Sequence, residues 1–366
     1  MPAALVRPVF ALCALTSCAL PLAAQHWQMQ YLYDEAKSDL AIVDLQFPSP
    51  SRGVAVGSVI ERKSRKSVAL VTSDGGTHWQ TVPLKDNPIS LFFLNDSIGW
   101  MVTDKGLWKT AESGKSWTKL PRLPFPVLRV YFADENNGWA AGAAGTALET
   151  HDGAQRWKPL AATLQLGDPN VTYRWIAFAN PQAGLILGSD ELAQDAPLPD
   201  WLDPRDALNR SEWRQPTMTL QTLDAGKTWQ FNSVYTLGQN TRSRFAPPAR
   251  GIGLVEHAQS SRYPSEVWGL SWPTGANELV YRDENFFVSD VWVTPRGAYY
   301  LAGLALTSKL RDVVPQKVRV LASSNLKEWK ALDVDYRAVA NRVILAGAGD
   351  DLWMAADNGM ILKLVR

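Results

Sequence analysis

One short stretch decides the fold of this chain: Thr72-Ser73-Asp74-Gly75-Gly76-Thr77-His78-Trp79. A hydroxyl residue is followed by an acid, a turn of small residues and a tryptophan. The pattern recurs at residues 110–117, 150–157 and 222–229, and a worn copy ends at Trp329. The acid and the tryptophan of the full copies are Asp74 and Trp79, Glu112 and Trp117, Asp152 and Trp157, and Asp224 and Trp229. Such repetition predicts a structural device rather than a catalytic site.

These four stretches, the acid turns, are suited to the corner of a β-hairpin. The carboxylate can accept hydrogen bonds from N–H groups of the turn, and glycine adopts backbone angles that other residues resist. The tryptophan then begins the returning strand and packs beneath the turn, where burial removes roughly 150–250 Å² of its surface from water. The pattern therefore predicts one hairpin for each copy.

A second marker gives the period of the repeat. A phenylalanine ends a strand-like run, and a glycine six residues later opens the next run. The pairs are Phe47 and Gly53, Phe93 and Gly99, Phe132 and Gly138, Phe178 and Gly184, and Phe245 and Gly251. Two looser copies follow, so the chain contains seven units of four short strands each. Four-stranded units repeated radially predict an all-β fold, a seven-bladed β-propeller.

The two ends of the repeat complement each other. The last unit ends after its third strand, at residues 360–364, and lacks a fourth. Residues 26–33 begin with His26-Trp27-Gln28, which matches the fourth strands of other units. We expect this N-terminal strand to complete the last blade and to cover sheet edges that would otherwise seek partners. Residues 25–366 are then a single domain.

The composition narrows the classes of function. The chain has 366 residues, a net charge of +1, 46% hydrophobic and 20% charged residues. This balance is that of a globular protein and gives no electrostatic reason to expect a nucleic-acid partner. Four histidines and two cysteines, both within the first 24 residues, leave little material for a metal site. We expect a monomer without metal or cofactor.

Residues 1–24 are predicted to be a targeting segment, in which an apolar run follows Arg7. The small residues before Gln25 favour signal-peptidase cleavage after Ala24. The alternative is Leu15-Thr16-Ser17-Cys18, which is similar to a lipobox and would make Cys18 a lipid-bearing N-terminus. Both interpretations predict an exported protein, either periplasmic or secreted, or anchored by lipid.

The acid turns resemble Asp-box (BNR) repeats. The longer string of strand, Gly-Trp, strand and Thr-x-Asp-Gly-Gly-x-x-Trp resembles the photosystem II stability and assembly factor group, within the sialidase-like superfamily. This resemblance covers nearly the whole chain beyond residue 24, best at residues 42–157. It implies an exported, non-enzymatic propeller that binds a protein partner or an assembly intermediate of a membrane complex.

The long excursions of the repeat fall between second and third strands, at residues 58–67, 189–216, 256–265 and 304–315. They should emerge on one face, which makes that face the predicted docking surface. The insertion 189–216 carries the candidates Trp201, Asp203, Arg205, Asp206 and Trp213. Three interpretations stay open for it: a packed lid, a docking site for protein or ligand, or a carboxylate site for metal or catalysis.

Other candidate binding residues lie on the same predicted face. They are Arg62 and Arg65 in a charged hairpin tip, Tyr33, Asp34 and Glu35 in the link to the first complete blade, and His257, Arg262 and Tyr263 in the third excursion. The charged tip is either a solvated hairpin end or a contact for an acidic partner or a lipid headgroup. His257 is expected to be a surface histidine.

The alternative function is a glycan-binding propeller or a sialidase-like glycoside hydrolase. A sialidase needs an arginine cluster, a Tyr–Glu pair and an acid around the central pocket, and only Arg129, Arg174 and Arg342 lie on predicted first strands. The Phe/Tyr-Arg-Ile-Pro opening is missing, as are a nucleophile elbow and a P-loop. No catalytic residue is therefore assigned.

Overall fold

The computed structural model describes residues 25–124, 126–164, 169–190, 214–247, 250–257, 262–272, 276–306, 316–335 and 337–366. Within these ranges the chain forms 28 β-strands and one short helix, α1 (Ala161–Leu164). None of the helical structure described is long and apolar enough to cross a membrane. The chain is all-β, as its sequence predicts.

Five sheets have four antiparallel strands each. The first two contain β2 (Ser38–Gln46), β3 (Gly53–Glu61), β4 (Ser64–Thr72) and β5 (Gln80–Pro83), then β6 (Pro88–Phe93), β7 (Gly99–Thr103), β8 (Gly106–Thr110) and β9 (Thr118–Lys119). The third contains β10 (Val127–Phe132), β11 (Gly138–Gly142), β12 (Ala147–Thr150) and β13 (Lys158–Pro159). The fourth and fifth contain β14 (Val171–Phe178), β15 (Gly184–Asp190), β16 (Arg214–Thr222) and β17 (Gln230–Leu237), then β18 (Gln239–Ala246), β19 (Arg250–Glu256), β20 (Ser265–Leu270) and β21 (Glu278–Arg282).

The sixth sheet has eight strands and joins the two ends of the chain. It contains β22 (Phe286–Val293), β23 (Tyr299–Ala305), β24 (Val318–Ser323), β25 (Lys330–Val334), β1 (His26–Leu32), β28 (Met360–Val365), β27 (Asp351–Ala356) and β26 (Val343–Ala348), in that order. β1 is antiparallel to β28, with Met29 opposite Leu362, and parallel to β25, with Trp27 opposite Val334. The N-terminal strand thus lies beside the last strand, as the sequence predicts.

The first strands of the sheets form a closed circuit. β2, β6, β10, β14, β18, β22 and β26 each pack against the next, and β26 packs against β2. The hydrophobic core lies between neighbouring sheets, where Phe47 stacks on Trp353 at 3.6 Å and Phe132 stacks on Trp100 at 3.8 Å between ring centroids. Many four-stranded sheets arranged around a ring are the architecture of a β-propeller.

The structure explains the spacing of phenylalanine and glycine. A Cβ atom added at Gly53 would lie 2.4 Å from the Phe47 ring, and one added at Gly99 would lie 2.6 Å from the Phe93 ring. The phenylalanine ring therefore occupies the space of a side chain on the neighbouring strand. Only glycine leaves room for it, which fixes the interval in each unit.

The acid turns have one hydrogen-bond plan. In the turn at residues 222–229, Thr222 Oγ1 donates to Asp224 Oδ1 at 2.8 Å and accepts the Gly226 N–H at 2.8 Å, while Asp224 Oδ1 accepts the Thr228 N–H at 2.9 Å. Ala225 and Gly226 have φ values of 62° and 81°, the left-handed conformation that glycine favours. Equivalent bonds occur in the turns at 72–79 and 150–157, and in the worn copy Asn325 takes the place of the acid.

The tryptophans of the acid turns pack edge-on against the phenylalanines of the second marker. The centroid distances are 6.0 Å for Trp79 and Phe47, 6.4 Å for Trp117 and Phe93, 6.1 Å for Trp157 and Phe132, and 6.2 Å for Trp229 and Phe178. The two sequence markers are therefore halves of one packing unit, and their role is structural.

Candidate functional site

The two ends of the ring differ in the chain segments they hold. The acid turns and the loops between first and second strands lie at one end, the turn end. The other end, the linker end, holds the links between sheets, such as residues 33–37 and 84–87, and the loops between second and third strands. Each first strand starts at the linker end, so side chains near those starts converge around its centre.

Four arginines meet at the centre of the linker end. Arg129 lies on β10, Arg242 and Arg244 lie on β18, and Arg342 precedes β26. Three of them surround one aromatic ring: the Cζ atoms of Arg129, Arg242 and Arg244 lie 4.3, 4.7 and 5.3 Å from the Trp175 ring centroid. The Trp175 indole is itself fixed, because its Nε1 donates to the Ser243 carbonyl at 2.7 Å. We call these four arginines with Trp175 the arginine mouth.

Two buried aspartates lie beside the arginines of the mouth, at the equivalent position of their first strands, directly after a bulge. Asp290 is fully buried, and its Oδ2 lies 3.2 Å from Arg244 Nη2. The same carboxylate accepts the Val291 N–H at 2.8 Å and the Leu345 N–H at 2.9 Å. Asp44 similarly accepts the N–H groups of two residues on β2 and β6 and lies 3.6 Å from Arg129 Nη1. Both acids therefore tie neighbouring first strands together as well as balancing charge.

Burial sets the electrostatics of the mouth. Burial lowers the pKa of Arg242 to about 10, against the opposing effect of Asp290, and lowers the pKa of Arg129 against that of Asp44. Burial also favours a higher pKa for the Asp290 carboxyl, but Arg244, Arg242 and the backbone donors outweigh it and hold that pKa below its usual range. The ion pairs therefore remain charged at neutral pH in a site with little water.

Arg342 is the most accessible arginine of the mouth, with 38% of its side chain exposed against 15% for Arg242. Its Nη2 lies 2.6 Å from Glu256 Oε1, at the end of β19. Thr241 Oγ1 donates to the same Glu256 oxygen at 2.8 Å. Burial opposes a raised pKa for Arg342, but the nearby Glu256 outweighs it and raises that pKa. The Glu256 carboxylate thus pairs with the guanidinium of Arg342, the most accessible arginine of the mouth.

The arrangement suits recognition rather than chemistry. Guanidinium groups that are partly desolvated bind carboxylates strongly and can stack on flat groups. The carboxylate oxygens of Asp44 and Asp290 accept hydrogen bonds from backbone N–H groups and lie next to arginines. Neither carboxylate is therefore positioned to act as a nucleophile or a general acid. Among the residues that the structure describes, no three His, Cys, Asp or Glu side chains are grouped to hold a metal ion.

The predicted site residues are dispersed. Trp201, Asp203, Arg205, Asp206 and Trp213 lie outside the described residues. Arg62 and Arg65 are exposed near the tip of the β3–β4 hairpin, and the predicted excursion 58–67 is an extension of these two strands with a two-residue turn. Tyr33, Asp34 and Glu35 lie in the link after β1, where Tyr33 Oη and Ser38 Oγ are 2.9 Å apart.

The expectation for His257 is wrong. Its side chain is completely buried, and its Nε2 lies 3.6 Å from Glu266 Oε2. Gly238 provides the space, because a Cβ atom there would lie 2.3 Å from the His257 ring. The nearby Arg262 is exposed and pairs with Glu284 at 2.5 Å, and its Cζ lies 5.3 Å from the Tyr263 ring centroid. The His257 side chain is therefore packed inside the protein, directly after β19, rather than exposed at the surface.

The sequence predicts only two of the four arginines of the mouth. Arg129, Arg174 and Arg342 are the arginines predicted on first strands, whereas Arg242 and Arg244 also lie on one, β18, and Arg342 lies just before β26. The available signal was the alternation in Thr241-Arg242-Ser243-Arg244-Phe245, which places both arginines on one face of a strand. The sequence does not indicate Trp175 or Glu256 as site residues. Their contacts are with residues far along the chain, and no pattern of neighbouring residues predicts such contacts.

Fold and site together define a class of protein, a β-propeller with a cluster of arginines, the arginine mouth, inside its ring. Within that class, sequence and fold relate the chain to Ycf48, the photosystem II assembly factor. The chain is 29% identical over 126 residues to the photosystem II assembly lipoprotein Ycf48 of Synechococcus sp. (strain CC9902). This match covers 32% of the chain and only 35% of that relative. No protein-family profile matches the chain.

Solved structures of Ycf48 share the fold. A structure of YCF48 bound to D1 peptide has a TM-score of 0.60 at 16% identity and covers 92% of this chain and 96% of its own. YCF48 from Cyanidioschyzon merolae has a TM-score of 0.58 at 14% identity and covers 92% and 98%. The extracellular domain of BT4673 from B. thetaiotaomicron has a TM-score of 0.53 at 11% identity and covers 92% and 40%. Such low identities show a shared fold and no more.

Proposed function

We propose that this chain is a non-enzymatic binding protein that holds a carboxylate-bearing segment of a partner protein in the arginine mouth. The observation that carries the proposal is the gathering of three arginines within 5.3 Å of the Trp175 ring centroid, with Arg342 near enough to interact electrostatically with Arg129 and Arg242. The same guanidinium groups lie within 3.6 Å of three carboxylates, Asp44, Asp290 and Glu256, which keep them in place for a ligand.

The relation to Ycf48 supports a protein ligand. A Ycf48 structure is described as bound to D1 peptide, which is a segment of another protein. By extension, the partner of this chain is an assembly intermediate of a membrane complex. The linker end is the docking face in this proposal, with Tyr33, Asp34 and Glu35 in a link between sheets at that end.

The D1 peptide of the Ycf48 complex is the first probe for this function. Its binding to residues 25–366 should be measured by fluorescence anisotropy, with free and amidated carboxyl groups compared. We expect Arg342→Gln and Arg129→Gln each to weaken binding, because a hydrogen bond to a charged group contributes about 1.5–3 kcal/mol. That range corresponds to a loss of roughly 10-fold to 150-fold in affinity.

A matched control separates recognition from bulk charge. Lys115→Gln removes the same charge from an exposed position in the acid turn at residues 110–117, at the opposite end of the ring, and should leave the affinity unchanged. Equal weakening by Lys115→Gln and Arg342→Gln would indicate nonspecific attraction. A set of carboxylate-bearing peptides that bind equally well to all variants would contradict the proposal.

The architecture that presents the mouth is inferred to be a seven-bladed propeller of residues 25–366. In support, seven first strands form the closed circuit, and the eight-stranded sheet divides into β22–β25 and β26–β28 with β1. β1 then supplies the fourth strand of the last blade. Residues 1–24 would direct export, by cleavage after Ala24 or lipid attachment at Cys18, which mass spectrometry of the processed N-terminus would distinguish.

A glycan ligand is the second candidate, because an arginine cluster can also bind the carboxylate of an acidic sugar. Binding of sialic acid by residues 25–366, lost in Arg342→Gln, would favour it. Turnover of a glycoside substrate that one carboxylate substitution abolishes would overturn the non-enzymatic proposal. Retaining and inverting glycosidases both need a pair of acids beside the scissile bond, and in this mouth the acids are committed to other groups.

A further inference from the structure

The first strands of the sheets share a feature beyond their place in the ring. In β2, β6, β10, β14, β18 and β22, a β-bulge leaves one residue unpaired in the ladder to the second strand. In order around the ring, the bulge residues are Val43, Ile89, Leu128, Arg174, Thr241 and Ser289. The first five lie four residues before the phenylalanine of their unit. The bulge is therefore part of the repeat, and bulges commonly re-aim side chains next to functional sites.

Glycines on the second strands make room for the bulges. A Cβ atom added at Gly57 would lie 2.1 Å from the Ala41 carbonyl oxygen, and one added at Gly142 would lie 1.9 Å from the Pro126 carbonyl oxygen. The first and second strands approach each other here more closely than a side chain allows. The sequence of the repeat thus specifies the bulges.

The side chains at the bulges point towards the next sheet around the ring. The two residues of a bulge lie on one side of their strand, because together they oppose a single residue of the partner strand. In the first sheet, Asp44 follows the bulge residue and accepts the Leu91 N–H of β6 at 2.9 Å. Val43 itself packs against the apolar cluster that contains Leu91. Arg129 and Arg242 of the arginine mouth also directly follow bulge residues, so the bulge residues form the layer of side chains beside the mouth, on its linker-end side.

This layer has an apolar half and a polar half. In the first three sheets the bulge residues are apolar and half-buried. We call them the apolar arc: Val43, Ile89 and Leu128. In the next three sheets they are polar or charged, namely Arg174, Thr241 and Ser289. Arg342 lies on the polar side, because its Nη2 is 3.5 Å from the Ser289 carbonyl oxygen.

We propose that the apolar arc binds an apolar side chain that stands next to the carboxylate held by the arginine mouth. This inference rests on the function proposed above and adds a second requirement for the ligand. Leu128 directly precedes Arg129, so the apolar surface and a guanidinium adjoin within the length of one residue. The ligand is therefore a segment of a partner protein in which a leucine, isoleucine, valine or phenylalanine adjoins a carboxylate.

The apolar arc would supply the selectivity that the arginines lack. Charged groups steer and orient a ligand, but a cluster of guanidinium groups accepts carboxylates of many kinds. Binding sites are typically apolar surfaces with a few charged groups that fix the orientation of the ligand. Each methylene group that the arc removes from water improves affinity by up to about fourfold. A segment with acidic and polar residues alone would gain nothing from the arc.

A pair of peptides tests the proposal. One is the D1 peptide of the Ycf48 complex, and in the other each apolar residue that adjoins a carboxylate, on a side chain or at the chain end, is replaced by serine. The two peptides carry the same charge. Fluorescence anisotropy with residues 25–366 should show that the serine version binds about fivefold to tenfold more weakly.

A matched pair of protein variants locates the effect. Ile89→Thr removes two carbon atoms from the apolar arc and should weaken the D1 peptide about fivefold, while leaving the serine version unchanged. Ile98→Thr is the control. Ile98 is half-buried against the same apolar cluster as Ile89, but it lies between β6 and β7 at the turn end. Its substitution should cost similar stability in urea unfolding and change neither affinity.

Arg342→Gln separates this inference from the proposed function. It should weaken both peptides by the same factor, because both keep their carboxylates. If the wild type binds both peptides equally and Arg342→Gln weakens both, the carboxylate site stands and the role of the apolar arc is overturned. Equal effects of Ile89→Thr and Ile98→Thr on affinity would overturn it as well. If neither peptide binds, or Arg342→Gln changes nothing, the proposed function fails and this inference fails with it.

Discussion

The turn end and the linker end of the ring belong to the same sheets but are held together by different kinds of contact. At the turn end, residues 72–79, 150–157 and 222–229 repeat one set of hydrogen bonds, each closed within four residues. At the linker end, each strand contributes a different side chain, and the bond from Arg244 to the Leu345 carbonyl spans 101 residues. The hydrogen bonds of the turn end therefore join residues close in sequence and recur in several units. Those of the arginine mouth join residues far apart in sequence and occur only once.

This difference separates stability from recognition. Each acid turn can form as soon as its own hairpin forms, because its bonds are local. The arginine mouth exists only when strands from the third, fourth, fifth and sixth sheets have been brought together. Substitutions at the two ends should accordingly have different sizes and different readouts.

The largest effect is expected beside the arginines of the mouth. Asp290→Ala would leave Arg242 and Arg244 without the buried carboxylate that they share. Breaking a buried ion pair by removing one partner destabilises a protein by about 3–5 kcal/mol. Urea unfolding should show this loss, whereas Glu61→Gln, which breaks an exposed pair with Lys66, should leave the midpoint unchanged. A loss below about 1 kcal/mol would mean that backbone packing alone holds the mouth together.

The next effect is expected at a turn. Thr222→Val keeps the shape of the side chain but removes the acceptor of the Gly226 N–H, which is buried. An unsatisfied buried donor costs about 1–3 kcal/mol, measurable as a lower urea midpoint. Thr77→Val removes an exposed hydroxyl from an equivalent turn and is the control. Equal effects of the two substitutions would show that the buried bond is not the source of the stability.

The repeated end is the part that sequence alone could predict. The spacing of Thr222, Asp224 and Trp229 gives both the turn and the packing of its tryptophan, because all of these contacts are close in sequence. The interval between Phe47 and Gly53 follows from one ring that fills the space of a missing side chain. Each copy of the acid turn predicts its own hairpin from nearby residues, so the prediction gains support from every further copy.

The mouth could be predicted only in part. Arg129 and Arg342 were placed on first strands, but Arg244 lies on β18, where the weak match of the repeat obscured the strand. Trp175 meets Arg242 from 67 residues away, and no local pattern encodes that contact. His257 was expected at the surface because it follows a strand, yet Gly238 on a neighbouring segment makes room to bury it.

A smaller effect, on the affinity for the peptide, is expected when Glu256 is substituted, and it tests the role of Glu256 in the proposed binding function. Its carboxylate occupies Arg342, the most accessible guanidinium of the mouth. Glu256→Gln should free that charge and tighten binding of the D1 peptide by up to roughly fivefold, which corresponds to the upper limit of about 1 kcal/mol for an accessible ion pair. Fluorescence anisotropy at low and high salt would measure it. Weaker binding would instead indicate that Glu256 orients Arg342 for the ligand.

The smallest effect concerns pH at the turn end. Hydrogen bonds from the Thr228 side chain, the Thr228 N–H and Thr222 lower the pKa of Asp224 from 3.8 to about 2. A carboxyl with a lower pKa in the folded state contributes stability above its unfolded pKa and loses it as the pH falls towards the folded value. The wild type should therefore be more stable than Asp224→Asn at pH 7, and the two melting temperatures should converge as the pH falls from about 4 to about 2. Asp96→Asn, at an exposed position outside the acid turns, controls for the loss of one negative charge. Parallel curves of melting temperature against pH for the wild type and Asp224→Asn would show that the charge of Asp224 adds no stability. Asp224 would then act only as a hydrogen-bond acceptor, and the stability of its turn would depend on pH no more than that of the worn copy with Asn325.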